Sequence, residues 1–402
     1  MTSQDLSTPS DLQARAVAVS LERSRIVLPE RAPEGFDTWT SRDRLRRSAE
    51  LASFFGRLAL KEHLAPRLHV RPLVAELFLT ENCNLRCVSC ACWRTTTRDE
   101  LRTEEWCDVL DQLADAGILK VNFTGGEPLI RRDAIGLMAY ATNRGIREVH
   151  LNTNAIRLDQ PTLERVLAAG VRSFNISVDG PDAATHDAVR GSEGAFETTM
   201  QHLVGVLDQR DRYRLAVRMN FTVMRSNAHL LPEMARLARD LDVRLYLNLA
   251  SDSTFLFRTS EVTPETAVEA ATLRAALAEV QSMARADRRR LPSPADLAYV
   301  DDHFEDRLQR SVPCAESQLK LMVHSQGQVG GCWGHDPTMS VRAQSIRSII
   351  DSAAYRDEHE RFFRKERVGC GSNYSLNLRW RPRSWVRNMG VALADRFRSG
   401  RR

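Results

Sequence analysis

Between Leu73 and about residue 250 the chain alternates short apolar runs with amphipathic stretches, and that alternation limits the folds open to it. Strand-type runs fall at Val74–Thr80, Ile118–Phe123, Glu148–Asn152, Ser173–Val178, Ala216–Val223 and Arg244–Leu249. Helical patterns lie between them near 104–116, 131–144, 161–169, 195–209 and 229–241, several opened by Thr, Asp or Pro. Strand and helix in turn, joined by short loops, specify an α/β fold with a parallel sheet. A chain of 402 residues that is 43% hydrophobic has material for one such domain and a smaller second one.

The polar motifs sit where strands end. Directly after the first run, Thr80-Glu-Asn-Cys-Asn-Leu-Arg-Cys-Val-Ser-Cys places Cys83, Cys87 and Cys90 in a C-x3-C-x2-C loop. Three thiolates on one loop can hold a [4Fe-4S] cluster and leave one iron open to a small molecule. With Cys92 two residues on, the same cysteines also suit a structural zinc knuckle. The second run ends in Thr124-Gly125-Gly126-Glu127-Pro128-Leu129, the third in Asn152 and Asn154, and the fourth in Ser177 and Asp179. In barrels of parallel strands, active sites form at this C-terminal rim.

Taken together, the three-cysteine loop and the Gly-Gly-Glu-Pro turn resemble those of the radical S-adenosylmethionine (SAM) enzymes. The resemblance implies a partial (β/α)6 barrel. It also implies that Cys83, Cys87 and Cys90 ligate a [4Fe-4S] cluster whose open iron chelates the methionine end of SAM. Reduction then splits the sulfonium C–S bond to give a 5'-deoxyadenosyl radical. On this reading Gly125 and Gly126 let the backbone approach the methionine amino group, and Glu127 accepts from a cation. Asn154 and Ser177 are expected near the ribose or methionine, supported by Asp179 or Arg190. The aromatic that usually precedes the third cysteine is here Ser89, and Trp93 is a candidate to take its place over the adenine.

A further stretch, Asn175-Ile-Ser-Val-Asp-Gly-Pro with His186-Asp187 and Arg190-Gly191, resembles the subset of these enzymes that carry a C-terminal SPASM or twitch domain with an auxiliary cluster. Cys314, Gly327 and Cys332 give the C-x12-G-x4-C spacing of that domain, and Leu319–His324 and Gly327–Gly330 suit two strands around a glycine turn. Its last cysteine pair is incomplete, because only Cys370 stands there, with Arg367 and Asn373 at the flanking positions. The expectation is a second iron-sulfur cluster on Cys314, Cys332 and Cys370. Its fourth site is either open or filled by a non-cysteine group, with His335, Arg367 and Asn373 as candidates. Cys107 reads as a core thiol. Cys92, beside the cluster loop, is a candidate hydrogen donor to a substrate radical, with an incidental structural role as the alternative.

The expected divisions are a helical N-terminal extension (1–72), the partial barrel (73–255), a helical connector (256–304), a twitch-like domain (305–378) and a basic amphipathic tail (379–402). The net charge of +5 is a property of that tail, which holds eight Arg and one Asp. The body carries no nucleic-acid signature; a membrane-surface contact through the tail is the lesser expectation for it. A polar N-terminus and no run of eighteen apolar residues imply a cytoplasmic protein. The resemblance implies an electron donor such as flavodoxin or ferredoxin. The substrate it implies is a sugar, aminocyclitol or related natural-product intermediate, as in antibiotic biosynthesis, epimerised or dehydrogenated after hydrogen abstraction. Its alternative is a maturase that forms a thioether or carbon-carbon crosslink in a ribosomal peptide, and a non-catalytic iron-sulfur scaffold is the third reading.

Overall fold

The computed structural model describes residues 27–34, 36, 41–94, 99–250, 264–304, 314–332 and 337–363. Six parallel strands follow the expected order: β1 Val74–Thr80, β2 Lys120–Gly125, β3 Glu148–Thr153, β4 Val171–Ser177, β5 Ala216–Val223 and β6 Arg244–Leu249. They lie in the order 6-5-4-3-2-1, so each βα unit places its strand beside the last. Right-handed crossovers through the helices produce this stacking. The strand expected at 118–123 lies two residues later, that expected at 173–178 begins two residues and ends one residue earlier, and the other four match within one residue.

Helix α1 (Ser41–His63) leads in, and α2 (Thr103–Asp115), α3 (Ala134–Asn143), α4 (Gln160–Ala168), α5 (Ala183–Arg190), α6 (Ala195–Asp208) and α7 (Leu231–Asp240) pack along the barrel. Strand side chains alternate between faces. Ala75, Leu77 and Leu79 of β1 and Val121 and Phe123 of β2 turn outward into the core shared with the helices. Glu76 and Asn122, on the alternate positions, turn to the inner face and hydrogen-bond there at 2.8 Å.

The sheet continues past β1. Strand β7 (Lys320–Val323) pairs with it in parallel, and β8 (Gln328–Gly330) and β9 (Met339–Ser340) follow antiparallel. The two strands expected around Gly327 are therefore β7 and β8, and they extend the barrel's own sheet. The segment read as a connector holds α8 (Ala270–Ala286) and α9 (Pro294–Phe304). Leu273, Leu277, Val280, Leu297 and Val300 from this pair enter the barrel core, so it is packed structure and not a spacer. Helix α10 (Ala353–Phe363) closes the described part, and α1 packs beside it: Phe54 and Leu58 join Val70, Ala315 and Phe363 in a small second core. Lys61 pairs there with Glu360. Cys370, His335, Arg367, Asn373 and the basic tail lie outside the described residues.

Candidate functional site

Every expected motif except the C-terminal cysteines meets at the strand ends. The two glycines at the end of β2 are required by the chain itself. A carbon added at Gly125, whose φ is +130°, would lie 2.3 Å from the Thr80 carbonyl oxygen, and one at Gly126 would lie 2.0 Å from that of Asn82. Gly126 N–H donates to Thr80 O at 2.7 Å and Glu127 N–H to Asn82 O at 2.9 Å. The close approach that these glycines permit is thus to the segment entering the cysteine loop.

Glu127 is fully buried. Its carboxylate accepts from Leu129 N–H at 3.0 Å, Thr153 Oγ1 at 2.9 Å and Asn154 N–H at 2.8 Å. Burial pushes its carboxyl above the usual range, and these donors pull it back. It ties the end of β2 to that of β3. Asn154, half of that tie, turns its amide to Asn84 Oδ1 at 2.8 Å and to Cys83 Sγ at 3.9 Å. Sequence reasoning saw these residues only as ligands of SAM; their bracing partners lie 26 to 71 positions away and leave no local signal.

A second brace comes from α5. Gly191 ends that helix in the left-handed conformation, and its α-carbon faces Arg86 O so closely that an added carbon would lie 2.5 Å away. Arg86 and Val88 N–H donate to the carbonyls of Arg190 and Val189 at 3.1 and 2.9 Å. The buried Arg190 guanidinium pairs with Asp179 Oδ2 at 2.7 Å and reaches Cys87 Sγ at 3.7 Å. Asp179 Oδ1 accepts from Thr222 N–H at 2.8 Å, which brings β5 into the same network. Ser177 sits partly buried at the end of β4. Trp93 donates its indole N–H to Cys87 O at 3.2 Å, which holds its ring beside the loop.

Burial and neighbouring charges disfavour the ionised forms of two of the thiols. Burial lifts Cys83 to about 11, with Cys87, Glu127 and Cys90 adding to the rise, and burial raises Cys87 against the pull of Arg190. Cys90 is drawn down to about 7 because the Cys92 thiol donates to its sulfur, and Cys92 is raised for the same reason. Thiols such as Cys83 and Cys87, held up by burial, become thiolate ligands when a cation replaces their protons. Among the described residues no three His, Cys, Asp or Glu side chains converge on one metal-ion position.

Below the rim, the inner face of the sheet is largely polar, with Phe78 and Met322 as apolar exceptions, and sequence reasoning missed it. His150 bonds Ser173 Oγ at 2.7 Å and Asn152 Oδ1 at 3.1 Å, and burial holds it neutral. Lys320 of β7 pairs with Glu76 at 2.8 Å and Glu316 at 2.5 Å. Burial lowers Lys120 to about 8 and raises Tyr246 to about 12. Buried Glu76 Oε2, Asn122 Oδ1, Asn175 Oδ1 and Asn220 Oδ1 have no hydrogen-bond partner. The period-2 pattern was the available signal, since these residues occupy alternate positions of strands whose other face is apolar.

Residues 77–204 match the model of the radical SAM superfamily. An AdoMet-dependent heme synthase of Nitratidesulfovibrio vulgaris is 36% identical over 40% of this chain and 42% of its own length. A PqqA peptide cyclase of Rhodopseudomonas palustris is 35% identical over 42% and 45%. The chain thus matches less than half the length of these curated relatives. The fold is shared with Streptococcus suis SuiB bound to S-adenosylmethionine (TM-score 0.57, 16% identity, 86% of this chain and 78% of that one). It is also shared with anSMEcpe bound to AdoMet (TM-score 0.56, 14% identity, 73% and 84%). No helix among the described residues is long and apolar enough to cross a membrane. The cysteine loop, the glycine turn and the ends of β1 to β4 all lie inside the stretch, residues 77–204, that matches the radical SAM superfamily.

Proposed function

We propose that this protein is a radical SAM enzyme that abstracts a hydrogen atom from a carbon of a small polar natural-product intermediate of the sugar or aminocyclitol class. Epimerisation or dehydrogenation follows. The observation that carries this reading is the cysteine loop, braced on three sides at the rim of a barrel whose inner face is largely polar. In this reading Cys83, Cys87 and Cys90 hold a [4Fe-4S] cluster, and bound SAM supplies the 5'-deoxyadenosyl radical on one-electron reduction by a flavodoxin- or ferredoxin-type donor.

The chain's own residues then have distinct tasks. Arg190 and Asn154 donate toward two of the ligating sulfurs and favour their thiolate forms. Gly125 and Gly126 keep the turn at the end of β2 against the loop, and its partly exposed backbone serves the methionine amino group. Ser177, with Asp179 and Arg190 behind it, faces the remainder of SAM. Cys92 lies beside Cys90, where it suits return of a hydrogen atom to a product radical if the outcome is epimerisation. Below, the unpartnered oxygens of Glu76, Asn122, Asn175 and Asn220 favour a substrate rich in O–H and N–H donors, because each buried acceptor left unmatched costs about 1–3 kcal/mol.

A second reading, a maturase that crosslinks a ribosomal peptide, is favoured by the similarity to a PqqA peptide cyclase. The C-terminal unit with Cys314, Cys332 and Cys370 is read as twitch-like with an auxiliary cluster. Anaerobic reconstitution followed by dithionite and SAM tests the reading. It expects 5'-deoxyadenosine from the intact protein and none from C83A/C87A/C90A, with about eight irons per chain if two clusters are present. A fully loaded protein that never forms 5'-deoxyadenosine would refute it and leave an iron-sulfur scaffold. With a candidate substrate deuterated at one carbon, label in 5'-deoxyadenosine identifies the class.

A further inference from the structure

The segment that carries the first three cysteines has an outer side as well as an inner one. Arg86 and Val88 N–H donate to the carbonyls of Arg190 and Val189 at 3.1 and 2.9 Å, so the chain runs extended along the end of α5 and its side chains alternate. Leu85 is buried and the Cys87 sulfur turns inward to Arg190 at 3.7 Å, whereas Arg86 is exposed and Val88 is 40% exposed. Val88 is among the few large apolar side chains left exposed among the described residues. Arg94, at the end of the segment, is exposed too. Its guanidinium lies 4.8 Å from the centre of the Trp93 ring, and that indole donates to Cys87 O at 3.2 Å. Arg86, Val88 and Arg94 are therefore all placed through the backbone of Cys87.

The charge of this side is of one sign. Between Cys83 and Arg94 the chain has two charged side chains, Arg86 and Arg94, and no carboxylate. The neighbouring acids face elsewhere: Glu81, before the segment, bears on Cys92, and Glu193 and Glu197 line a cleft with Asp187. Among the described residues neither guanidinium is in an ion pair, whereas the exposed arginines Arg71, Arg144, Arg236 and Arg274 each answer a carboxylate. Two cations held beside an exposed valine make a small positive patch with an apolar centre. Electron-transfer encounters are of this kind, burying less than about 1,200 Å² and drawing their rate from charge complementarity.

We propose that Arg86, Val88 and Arg94 form the docking surface for the one-electron donor, an acidic carrier of the flavodoxin type, directly over Cys87. This rests on the radical SAM reading above and names where its reductant binds. In the encounter the carrier is oxidised by one electron and the enzyme is reduced by one; no bond forms between them.

The test compares two reductants on the reconstituted full chain: a reduced acidic flavodoxin, and dithionite, a small ion that needs no docking surface. In R86E/R94E, with rates expressed per iron, flavodoxin-driven formation of 5'-deoxyadenosine should fall about tenfold or more at low salt, and dithionite-driven formation should stay within about twofold. Calorimetric titration with oxidised flavodoxin needs no turnover. The parent should bind more weakly as salt rises, and the variant should bind weakly at every salt concentration. R86K/R94K, which keeps both charges, should behave as the parent. An equal loss with both reductants would place the effect on the cysteine loop itself, and an unchanged flavodoxin rate would place docking elsewhere. Either result overturns the patch and leaves the enzymatic reading standing, as would a parent that turns over with dithionite but never with flavodoxin. A fully loaded parent that makes no 5'-deoxyadenosine even with dithionite would refute that reading, and the patch with it.

Discussion

Arg190 bears more of the site than any other single side chain, because it is buried between the carboxylate of Asp179 and the sulfur of Cys87. The ion pair keeps its guanidinium charged, and removing it leaves Asp179 buried without a counter-ion. Arg190→Met is expected to destabilise the fold by about 3–5 kcal/mol, read as a fall in the urea midpoint, and to lower cluster content. Its neighbour His186 carries a pH dependence. Burial first, and Arg190 second, lower His186 to about 3, and its Nδ1 accepts from Asp179 N–H at 3.1 Å. A base with a depressed folded pKa contributes stability above its unfolded value of about 6.5, and that stability drains away as pH falls toward the folded value. Between pH 7 and pH 5 the loss from this residue is about 2 kcal/mol. In His186→Gln, whose amide oxygen can still accept from Asp179, the pH 5 to pH 7 difference in urea midpoint should shrink by that share; an unchanged difference would place the titration elsewhere.

Among the elements, the short helix α5 and its glycine stop decide where the cysteine loop sits. Gly191→Ala forces a side chain into the left-handed region and against Arg86 O, at a cost of about 1–3 kcal/mol. Because Arg86 and Val88 bond to the end of this helix, iron retention after desalting should fall more steeply than the melting temperature. Equal iron content in variant and parent would show that the loop is held by Arg190 alone. This helix was missing from the expected elements, although Asp182 caps its start and Gly191 its end. Eight residues with only His186 and Val189 buried give too faint an apolar stripe to read. The strands were legible for the opposite reason: each carries apolar residues at every other position or more and is bounded by turn residues, which made the rim and its motifs visible in advance. What the sequence hid is long-range. The bond between Glu127 and Thr153, the polar inner face, and the contact of Arg190 with Cys87 each depend on how separate elements are brought together.

At the scale of the whole molecule, the C-terminal hairpin is part of the barrel's sheet and not a module hung beside it. β7 lies in register with β1, Val74 against Lys320 through Leu77 against Val323. At this seam Lys320, fully enclosed, answers two carboxylates, Glu76 from β1 and Glu316 just before β7. The pair of carboxylates raises the lysine against the effect of burial, so the charges are mutually dependent. Lys320→Met keeps the volume and removes the cation, leaving two buried acids facing each other. The expected loss is about 3–5 kcal/mol. It should be shared by both units, because Leu321, Val323 and Val329 belong to the same core as the barrel strands. Hydrogen exchange would then rise together in β1 and in 320–330. Exchange that rose only in the hairpin would mean that the C-terminal unit opens independently of the barrel. The coupling has a functional side, since the Cys314 and Cys332 segments are carried by this hairpin. The barrel edge that positions the cysteine loop therefore also carries the Cys314 and Cys332 segments, and damage at Lys320 should lower the iron content of the reconstituted protein.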